Sequence, residues 1–436
     1  MATDALPPST AKPAEPSLGE LHNIPLTSRP KTTLPQVLNW LLAILIFPFG
    51  ALMANGSQVL FALPVRILAY PIPPLKRVYD EMIRYTKGAV ASLLVLVCQL
   101  CAPTEFSFTF ETGGPGAFTS EEIGNMVLRD EDGHFVSLNL PQRSVLITNH
   151  QVYADWLYAW VLAYFIGAQK DIFIVSKDSL KWVPIIGWGM QFYNFVFLKR
   201  SWGADRLTLV TKLAEIGQQA EKYDRPLMFL LYPEGTVISQ NTQPVSKRYA
   251  DKLGIENTKN VILPRSTGLH YSLRSLSPRI PDLQLIDATI VYPGVPPGGY
   301  GQNYYTMRSI FLSRVPPPTL HIHFRKFHVA TQVPIGDLSS ANAAKLPTKG
   351  KADATVESEV PESERDAFDV WLRELWMEKD ASMDRFAATR SFVDEEKRKW
   401  RVGALKVPVK LRNWSEVLDA YCLFLPAAAV GWMFSR

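Results

Sequence analysis

Hydrophobic and polar positions divide the first part of the chain into two segments of different character. Residues 1–35 are rich in proline, serine, threonine and alanine and have no apolar period, which predicts a disordered arm. Residues 36–104 are largely apolar, which predicts hydrophobic, membrane-associated helices. The first apolar run, residues 37–72, is interrupted by the polar stretch at residues 55–58, so we expect two short helices there rather than one long helix.

The second apolar run extends from Gly88 to Ala102. At 1.5 Å per residue such a helix covers roughly 22 Å, less than the ~30 Å hydrocarbon core of a bilayer unless Tyr85 and its neighbours extend it. Three interpretations of this run therefore stay open: a hairpin that enters the bilayer only in part, a segment that spans the bilayer, or a helix buried in the protein core. Cations between the two runs favour the membrane and suggest that this connection faces the cytosol or anionic head groups; they are Arg66, Lys76, Arg77, Arg84 and Lys87.

From Ser144 onward, short apolar runs alternate with longer segments of helical period. The strand candidates are residues 144–149, 171–176, 194–198, 227–232, 260–264, 285–292 and 321–327. Helix candidates between them include Ala204–Tyr223 and Ser246–Leu253. This alternation predicts an α/β fold in which helices flank a largely parallel central sheet, with catalytic groups at the carboxyl ends of the strands.

The C-terminal part of the chain predicts a linker followed by helices. Residues 105–335 carry the predicted sheet, whereas residues 336–366 are polar and poor in apolar side chains, which predicts a flexible insert. Residues 367–436 predict C-terminal helices that end in a short apolar tail. Apolar residues recur there at helical spacing and indicate core packing; they are Phe368, Trp371, Leu372, Leu375 and Trp376.

Composition and charge narrow the class of function. The 436 residues are 47% hydrophobic and 20% charged, which excludes a globally disordered chain. Lysine and arginine exceed aspartate and glutamate by 46 − 41 = 5, too mild an excess to indicate nucleic acid but suited to anionic lipid surfaces or phosphorylated small molecules. Three cysteines exclude a disulfide scaffold. No feature indicates a protein partner.

Histidines in the last strand candidate raise the question of a metal site. His321 and His323 share one face of that strand, and His328 follows, but no nearby carboxylate or cysteine completes a ligand set. We therefore expect no metal.

The stretch from Thr148 to Trp156 follows a strand candidate and opens an apolar helical run. Its His150 and Asp155 lie five residues apart, which is about 140° on an ideal helix. They meet only if His150 lies in the turn before the helix and Asp155 reaches back from the first helical turn. The carboxylate then orients the imidazole, and the pair can act as a general base. For this spacing alone, a surface or capping pair is the more common explanation.

Four motifs together resemble those of the glycerolipid acyltransferases. Residues 149–155 are similar to the Asn-His-x4-Asp motif, and residues 197–200 (Phe-Leu-Lys-Arg) resemble the second motif. Residues 232–236 contain the Pro-Glu-Gly-Thr of the third, and residues 261–265 resemble the fourth, an apolar run that ends in proline. Order and spacing match over roughly residues 85 to 330. The surrounding sequence resembles the long eukaryotic branch of lysocardiolipin, lysophosphatidylinositol and some lysophosphatidic acid acyltransferases.

This resemblance implies that residues 105–335 form an acyltransferase domain. The implied reaction moves a fatty acyl group from coenzyme A to a free hydroxyl of a lysophospholipid, with His150 as the general base and Asp155 as its orienting partner. No bound cofactor is implied, because acyl-CoA is a co-substrate. The implied location is the endoplasmic reticulum membrane, and the implied partners are the two substrates and membrane lipids.

The resemblance also assigns residues to substrate binding. Lys199 and Arg200 become phosphate binders for the acceptor, and Glu234 either contacts an acceptor hydroxyl or positions a binding loop. Many family members have an arginine directly after Glu-Gly-Thr, whereas this chain has Val237. The phosphate contact of that arginine must then come from elsewhere, and Lys247, Arg248 and Arg265 are the nearby cations. The other assigned positions are Asn149, Gly235, Thr236 and Pro264.

Three other functions stay open at this stage. A CoA-independent transacylase could use the same His150–Asp155 pair. A catalytically inactive lipid-binding protein of the same fold is disfavoured by the intact pair, and a metal-dependent hydrolase would lose activity to chelators. The chain contains no Gly-x-Ser-x-Gly sequence, which counts against a serine lipase or esterase.

Overall fold

The structure, a computed structural model, describes residues 17, 19–129, 131, 133, 135–199, 201–338, 360–396, 398–400 and 402–424. Its α-helices are α1 (Leu34–Ser57), α2 (Leu63–Leu68), α3 (Leu75–Cys101), α4 (Ser120–Gly124), α5 (Asp155–Ile166), α6 (Ile186–Phe192), α7 (Trp202–Tyr223), α8 (Gln243–Leu253), α9 (Ser266–Leu276), α10 (Val329–Gln332), α11 (Glu362–Thr389) and α12 (Glu416–Ala420).

Strands make up one large sheet and one hairpin. The strands are β1 (Glu105–Phe110), β2 (Val127–Arg129), β3 (Phe135–Leu138), β4 (Arg143–Thr148), β5 (Ile172–Lys177), β6 (Val196–Leu198), β7 (Leu227–Leu231), β8 (Gln284–Val291), β9 (Thr319–His328) and β10 (Leu405–Pro408). The large sheet has the order β10-β1-β9-β8-β4-β7-β5-β6, and β2 pairs with β3 alone.

Five neighbouring strands of the sheet, from β8 to β6, run parallel to one another. Strand β9 is antiparallel to β8, β1 is parallel to β9, and β10 is antiparallel to β1. Helices cover both faces. The α/β fold with a largely parallel central sheet flanked by helices is therefore confirmed, and six of the seven predicted strands are present.

Side chains that alternate along the parallel strands supply two separate cores. Leu146 of β4 and Leu230 of β7 belong to the core shared with α3 and α5. Val145 and Phe229, one position away on the same strands, belong to the core shared with α7, α9 and α11. Because both faces are covered, the central strands are almost continuously apolar rather than alternating.

Two expectations about strands are wrong. Residues 260–264 form no strand, because their backbone N–H groups pair with side chains instead of with another strand. Ile262 donates to the Glu234 carboxylate and Leu263 donates to the Ser246 hydroxyl. The edge of the sheet also extends beyond residues 105–335, since β10 from the C-terminal region pairs with β1.

The predicted disordered arm is wrong for its second half. Residues 21–23 and 26–28 form short 3-10 turns, and Leu21 is buried. Arg29 donates hydrogen bonds to the carbonyl oxygens of Ile24 and Tyr304, at 2.9 and 2.6 Å, which fastens the segment to the body of the protein. Residues 1–16 and 18 lie outside the described residues.

The expected interruption at residues 55–58 does not break the helix. The chain stays helical from Leu34 to Leu68 through a π-helical turn at Gln58–Ala62. Asn55 donates to the carbonyl oxygen of Ile185 at 2.7 Å, and Gln58 donates to Thr86 at 3.3 Å. These contacts tie both polar side chains to neighbouring elements, and the helix continues past them.

Two described helical segments are long and apolar enough to cross a membrane, Leu34–Leu68 and Leu75–Cys101. They differ in burial. In the most apolar stretch of the first segment 28% of the residues are buried inside the protein, whereas in that of the second segment 72% are buried. The first segment therefore presents most of its apolar side chains outward, Leu38, Leu45 and Leu60 among them. The second is packed between the first segment and α5.

The predicted flexible insert and the apolar tail fall mostly outside the described residues, which omit 339–359 and 425–436. Helix α11 already begins at Glu362, inside the range predicted as insert. Its buried Phe368, Leu372 and Trp376 pack against the sheet in the core that contains α9, as the helical stripe indicates.

Candidate active site

Several of the predicted site residues gather where β4 ends, at the carboxyl edge of the parallel strands. Asn149 follows β4 directly, and its side chain pairs with the backbone of Ile290 in β8. The amide nitrogen donates to the Ile290 oxygen at 2.9 Å, and the amide oxygen accepts from the Ile290 nitrogen at 2.8 Å. The Asn149 side chain thus forms the pair of hydrogen bonds that the backbone of an adjacent strand residue would form, and it fixes the turn to β8. These contacts engage it with the neighbouring strand rather than with a substrate.

His150 and Asp155 meet in the arrangement that their spacing requires. His150 lies in the turn before α5, and Asp155 is the first residue of that helix. The imidazole Nδ1 is 2.8 Å from Asp155 Oδ2. The same oxygen accepts the backbone N–H groups of Gln151 and Val152, at 2.7 and 3.0 Å. The carboxylate therefore organises the whole turn as well as the imidazole.

Tyr292 completes the surroundings of the Asp155 carboxylate. Its hydroxyl donates to Asp155 Oδ1 at 2.6 Å, and both residues are buried. An ionised carboxylate only accepts hydrogen bonds, so Nδ1 of His150 carries the proton and Nε2 keeps its lone pair. Nε2 is thus the atom available as a base. The sequence analysis missed Tyr292, although it ends the apolar run of β8.

The imidazole of His150 is confined by a neighbouring aromatic ring. The ring of Tyr232 stacks on it with centroids 4.2 Å apart and planes inclined by 23°. The His150 side chain retains 17% of its solvent exposure, whereas Asp155 has none. The imidazole is therefore oriented from two sides and reachable from one.

Glu234 braces the turn from below instead of facing solvent. One carboxylate oxygen accepts the backbone N–H of His150 at 3.1 Å and the other accepts that of Ile262 at 3.2 Å. Burial raises the pKa of this carboxyl to about 8, although the two hydrogen bonds oppose the shift. Of the two roles that the sequence left open for Glu234, the contacts favour positioning a loop.

The Glu-Gly-Thr turn carries Gly235 and Thr236 at the rim of the site. Gly235 has φ of 69°, and its N–H donates to the carbonyl oxygen of Tyr232. This left-handed backbone conformation closes the turn, and glycine adopts it without steric cost. Arg265 reaches the same turn. Its N–H donates to Pro233 at 2.8 Å, and a Cβ on Gly235 would lie 3.9 Å from its Cδ. Pro264, directly before it, is buried.

The other predicted cations are less closely placed. Lys199 is exposed at the end of β6, three strands from β4, or roughly 14 Å at the usual strand spacing. Lys247 is exposed on α8 and lies 2.8 Å from Asp251, and no contact joins it to the site. Arg200 lies outside the described residues.

Helix α11 supplies site contacts that the sequence analysis did not foresee. Asp380 accepts the backbone N–H groups of Lys259 and Asn260, the latter at 2.6 Å. The Asn260 oxygen in turn accepts the side chain of Gln151 at 2.8 Å. Asp380 therefore holds the residue that follows His150, through one intermediate. The sequence feature that could have indicated this contact is a pair of charged residues, Lys379 and Asp380, in a helix that otherwise carries an apolar stripe.

Lys379 anchors α11 from within the core. Its ammonium lies 2.7 Å from Asp287 Oδ1 and 2.7 Å from the Ala288 oxygen, in the middle of β8. Burial lowers the pKa of Lys379 to about 8, with the Asp287 charge opposing the shift. Burial alone would raise the pKa of Asp287, but the charges of Lys379 and Arg325 outweigh it and hold that pKa below its usual value.

Among the described residues, no group of three histidine, cysteine, aspartate or glutamate side chains is arranged to hold a metal ion. His323 instead stacks on Phe392 and lies 3.6 Å from Glu111.

Replacing Tyr292 by phenylalanine should destabilise the protein through the Asp155 carboxylate. Loss of a hydrogen bond to a buried charged group costs about 1.5–3 kcal/mol, against about 0.5–1.5 kcal/mol for a neutral one. Tyr305→Phe is the matched control, because its hydroxyl donates to the neutral carbonyl of Pro293 at 2.7 Å. Denaturant unfolding of both variants checks this. Equal losses of unfolding free energy in the two variants would contradict a charged Asp155 carboxylate as the acceptor of the Tyr292 hydrogen bond.

Removing the Asp380 carboxylate should loosen the loop that supports Gln151. The Asp380→Ala variant should exchange the amide hydrogens of Lys259 and Asn260 faster by a factor of about 5–150, since each loses a bond of about 1–3 kcal/mol. Hydrogen-exchange mass spectrometry measures this. Asp369→Ala, which breaks only the pair with Arg373 on the same helix, is the control. Equal exchange in the two variants would contradict the link.

Comparisons with known proteins identify the family of the chain. The sequence model of the family described as acyltransferase matches residues 136–292. An uncharacterised acyltransferase of Schizosaccharomyces pombe is 29% identical over 391 residues, covering 89% of this chain and 96% of the relative. A 2-acyl-1-lysophosphatidylinositol acyltransferase of Saccharomyces cerevisiae is 33% identical over 339 residues, covering 71% of this chain and 76% of the relative.

A third relative covers a little more than half of the chain. Lysocardiolipin acyltransferase 1 of Danio rerio is 31% identical over 250 residues, which is 57% of this chain and 53% of the relative. The matched family region contains the His150–Asp155 pair, the Glu-Gly-Thr turn and the parallel strands that carry them. The chain belongs to the acyltransferase family.

Proposed function

We propose that this acyltransferase transfers a fatty acyl group from acyl-coenzyme A to a free hydroxyl of a lysophospholipid. The observation that carries the proposal is the His150–Asp155 pair, in which Nδ1 is occupied by the carboxylate and Nε2 is free to accept a proton. The named activities of the yeast and zebrafish relatives support a lysophospholipid acceptor. The four sequence motifs support acyl-CoA as the donor.

In the proposed mechanism His150 acts as a general base. Its Nε2 takes the proton of the acceptor hydroxyl while the oxygen attacks the thioester carbonyl. The tetrahedral intermediate then expels the coenzyme A thiolate, which recovers that proton from the imidazolium. Asp155 stabilises the imidazolium between the two steps and keeps the ring oriented. No covalent acyl-enzyme and no metal ion take part.

The oxyanion of the intermediate needs hydrogen-bond donors close to His150. The backbone N–H groups of Thr236 and Val237 make no hydrogen bond within the described part of the chain. They follow the turn at Gly235, and the next N–H, that of Ile238, donates to the His150 oxygen at 3.0 Å. We assign the two free N–H groups as the oxyanion donors.

Arg265 is the cation best placed for the acceptor phosphate. It lies against the Glu-Gly-Thr turn beside His150, while Val237, which stands where an arginine is common, is buried. Lys199 lies farther along the sheet edge, which suits a more distant phosphate of the head group or of coenzyme A. Arg265 would thus replace the arginine that many family members carry after Glu-Gly-Thr, but it reaches the site from another loop. This difference agrees with an acceptor that has a larger, phosphodiester head group.

The proposed location is a membrane, through the outward-facing apolar helix α1, and within the cell the endoplasmic reticulum. The membrane proposal is supported by the two candidate spanning segments. The endoplasmic reticulum rests on the family resemblance.

Replacing His150 by alanine should lower the acyl transfer rate by roughly 10²–10⁴-fold, the usual contribution of general-base assistance. Transfer from labelled acyl-CoA to a panel of lysophospholipids in detergent measures this. His328→Ala, which changes a histidine outside the site, should keep the parent rate. A rate within a few-fold of the parent for His150→Ala would refute the mechanism. Transfer from a phospholipid in the absence of acyl-CoA would instead identify a transacylase.

Replacing Arg265 by alanine should weaken use of the acceptor selectively. One charge-assisted hydrogen bond to phosphate contributes about 1.5–3 kcal/mol, or one to two decades in acceptor kcat/KM. The KM for acyl-CoA should stay close to that of the parent. Lys252→Ala, an exposed cation of α8, is the charge-matched control. A selective rise in the acyl-CoA KM would move Arg265 to the donor site.

Alkaline carbonate should leave the full-length protein in the membrane fraction, because α1 presents a long apolar surface that only lipid or detergent covers. Sedimentation of carbonate-washed membranes measures this, with a peripheral membrane protein as the control. Release of most of the protein into the supernatant would refute integral insertion without touching the proposed chemistry.

A further inference from the structure

From the end of β5 into the first turn of α6, the chain presents an unusual amount of apolar side chain to solvent. Trp182 is 70% exposed and Trp188 is 49% exposed, and Val183 and Ile186 between them are also exposed. Single exposed apolar residues are common, but a contiguous group of large ones marks an interaction site. We call residues 178–188 the tryptophan loop.

The tryptophan loop has a constrained backbone. Ile185 has φ of 67°, and the N–H of Ile186 donates to Pro184 at 2.7 Å, which closes a three-residue turn. Left-handed backbone at a β-branched residue costs on the order of 1–3 kcal/mol and persists only where the surroundings enforce it. Gly187 lies so close to the carbonyl oxygen of Leu180 that a Cβ would stand 2.5 Å away. The exposure of the tryptophans is therefore built into the fold.

The tryptophan loop is continuous with the outward face of α1. Asn55 of α1 donates to the carbonyl oxygen of Ile185 at 2.7 Å, which fixes the strained turn to the helix. Leu52 and Val59, about one helical turn to either side of Asn55, are exposed. The apolar surface of the candidate membrane helix thus extends onto the catalytic domain.

Position and composition indicate which partner covers this surface. The loop leaves the sheet at the carboxyl end of β5 and packs against β6, on the same edge as His150. Lys177 is exposed at its start, and the Lys181 ammonium lies 5.4 Å from the centre of the Trp182 ring. Tryptophan and lysine together are typical of the zone between lipid head groups and acyl chains.

We propose that the tryptophan loop is a second membrane contact, in which Trp182 and Trp188 enter the interfacial zone of the bilayer beside α1. This contact holds the carboxyl edge of the sheet against the head groups, where a lysophospholipid resides. The inference rests on the membrane-bound acyl transfer proposed above. It assigns to the catalytic domain itself a lipid-binding surface separate from the N-terminal helices.

Depth-dependent quenching in proteoliposomes tests the proposal on the full chain. Single cysteines replace Trp182, Trp188 or Val370 and carry an environment-sensitive NBD probe, with the labelled parent as background because its three cysteines are buried. Val370 is exposed on α11, against the opposite face of the sheet from α1. Vesicles of phosphatidylcholine and phosphatidylserine, with or without nitroxide lipids, provide the bilayer.

Emission at positions 182 and 188 should shift to the blue on reconstitution and lose several-fold more intensity to nitroxide lipids than emission at position 370. Equal quenching at all three positions, in protein that floats with the vesicles, would overturn the proposal while leaving the anchoring by α1 intact. A blue shift that depends on protein concentration and is insensitive to nitroxide lipids would overturn it in favour of a second copy of the chain.

A double variant, Trp182→Ser with Trp188→Ser, separates this contact from the chemistry. It should use lysophospholipid in vesicles several-fold less well than the parent and keep the parent rate with the same acceptor in detergent micelles. An equal loss in vesicles and micelles would overturn the proposal, and loss of transfer in the parent itself would instead refute the proposed function.

Discussion

The buried Asp155 carboxylate is the group on which the arrangement of the site depends. A buried charge is costly unless hydrogen bonds replace its lost hydration. Here the donors come from His150, from the backbone of the turn, and from Tyr292, which directly follows the carboxyl end of the neighbouring strand β8. All of them converge only if β4 and β8 are in register and α5 begins at this residue. The interaction that orients the His150 imidazole therefore also requires the sheet to be assembled.

A second buried group of charges extends this dependence to the C-terminal helix. Lys379 of α11 is paired with Asp287 of β8, which is also paired with Arg325 of β9. Breaking a buried pair from one side leaves an uncompensated charge and typically costs 3–5 kcal/mol. Since Asp380 is next to Lys379, this anchor also fixes the carboxylate that caps the loop under Gln151. Residues outside the matched family region thus support the turn that carries His150.

The sequence predicted the parts of the molecule that depend on local order. The alternation of apolar runs with helical segments was sufficient for the parallel sheet, and the spacing of His150 and Asp155 required the turn that is observed. Arg265 was foreseen as one cation near the Glu-Gly-Thr turn, but its contact with Gly235 depends on tertiary packing. Tyr292, Lys379 and Asp380 were not foreseen, because their partners are 120 or more residues distant or on another strand. No periodicity in a single sequence reports such contacts.

The same limit explains the errors in the N-terminal half and at the sheet. Asn55 and Gln58 read as a helix break because their buried acceptors, one of them the strained Ile185, belong to distant segments. Residues 260–264 are apolar enough for a strand, yet the side chains of Glu234 and Ser246 accept the backbone N–H groups of Ile262 and Leu263. In both cases local propensity yields to what the neighbouring elements already occupy.

The geometry of the site also constrains how substrates approach. The parallel strands bring His150, the Glu-Gly-Thr turn and the tryptophan loop to one edge, and the outward face of α1 borders the same loop through Asn55. A lysophospholipid keeps its acyl chain in the bilayer and exposes its hydroxyl near the head groups. An enzyme that received it from solution would have to extract that chain from the lipid at a cost of about 0.8 kcal/mol per methylene. In the arrangement proposed here, the edge rests on the bilayer and this cost is avoided, because the hydroxyl would reach Nε2 while the chain stays in lipid.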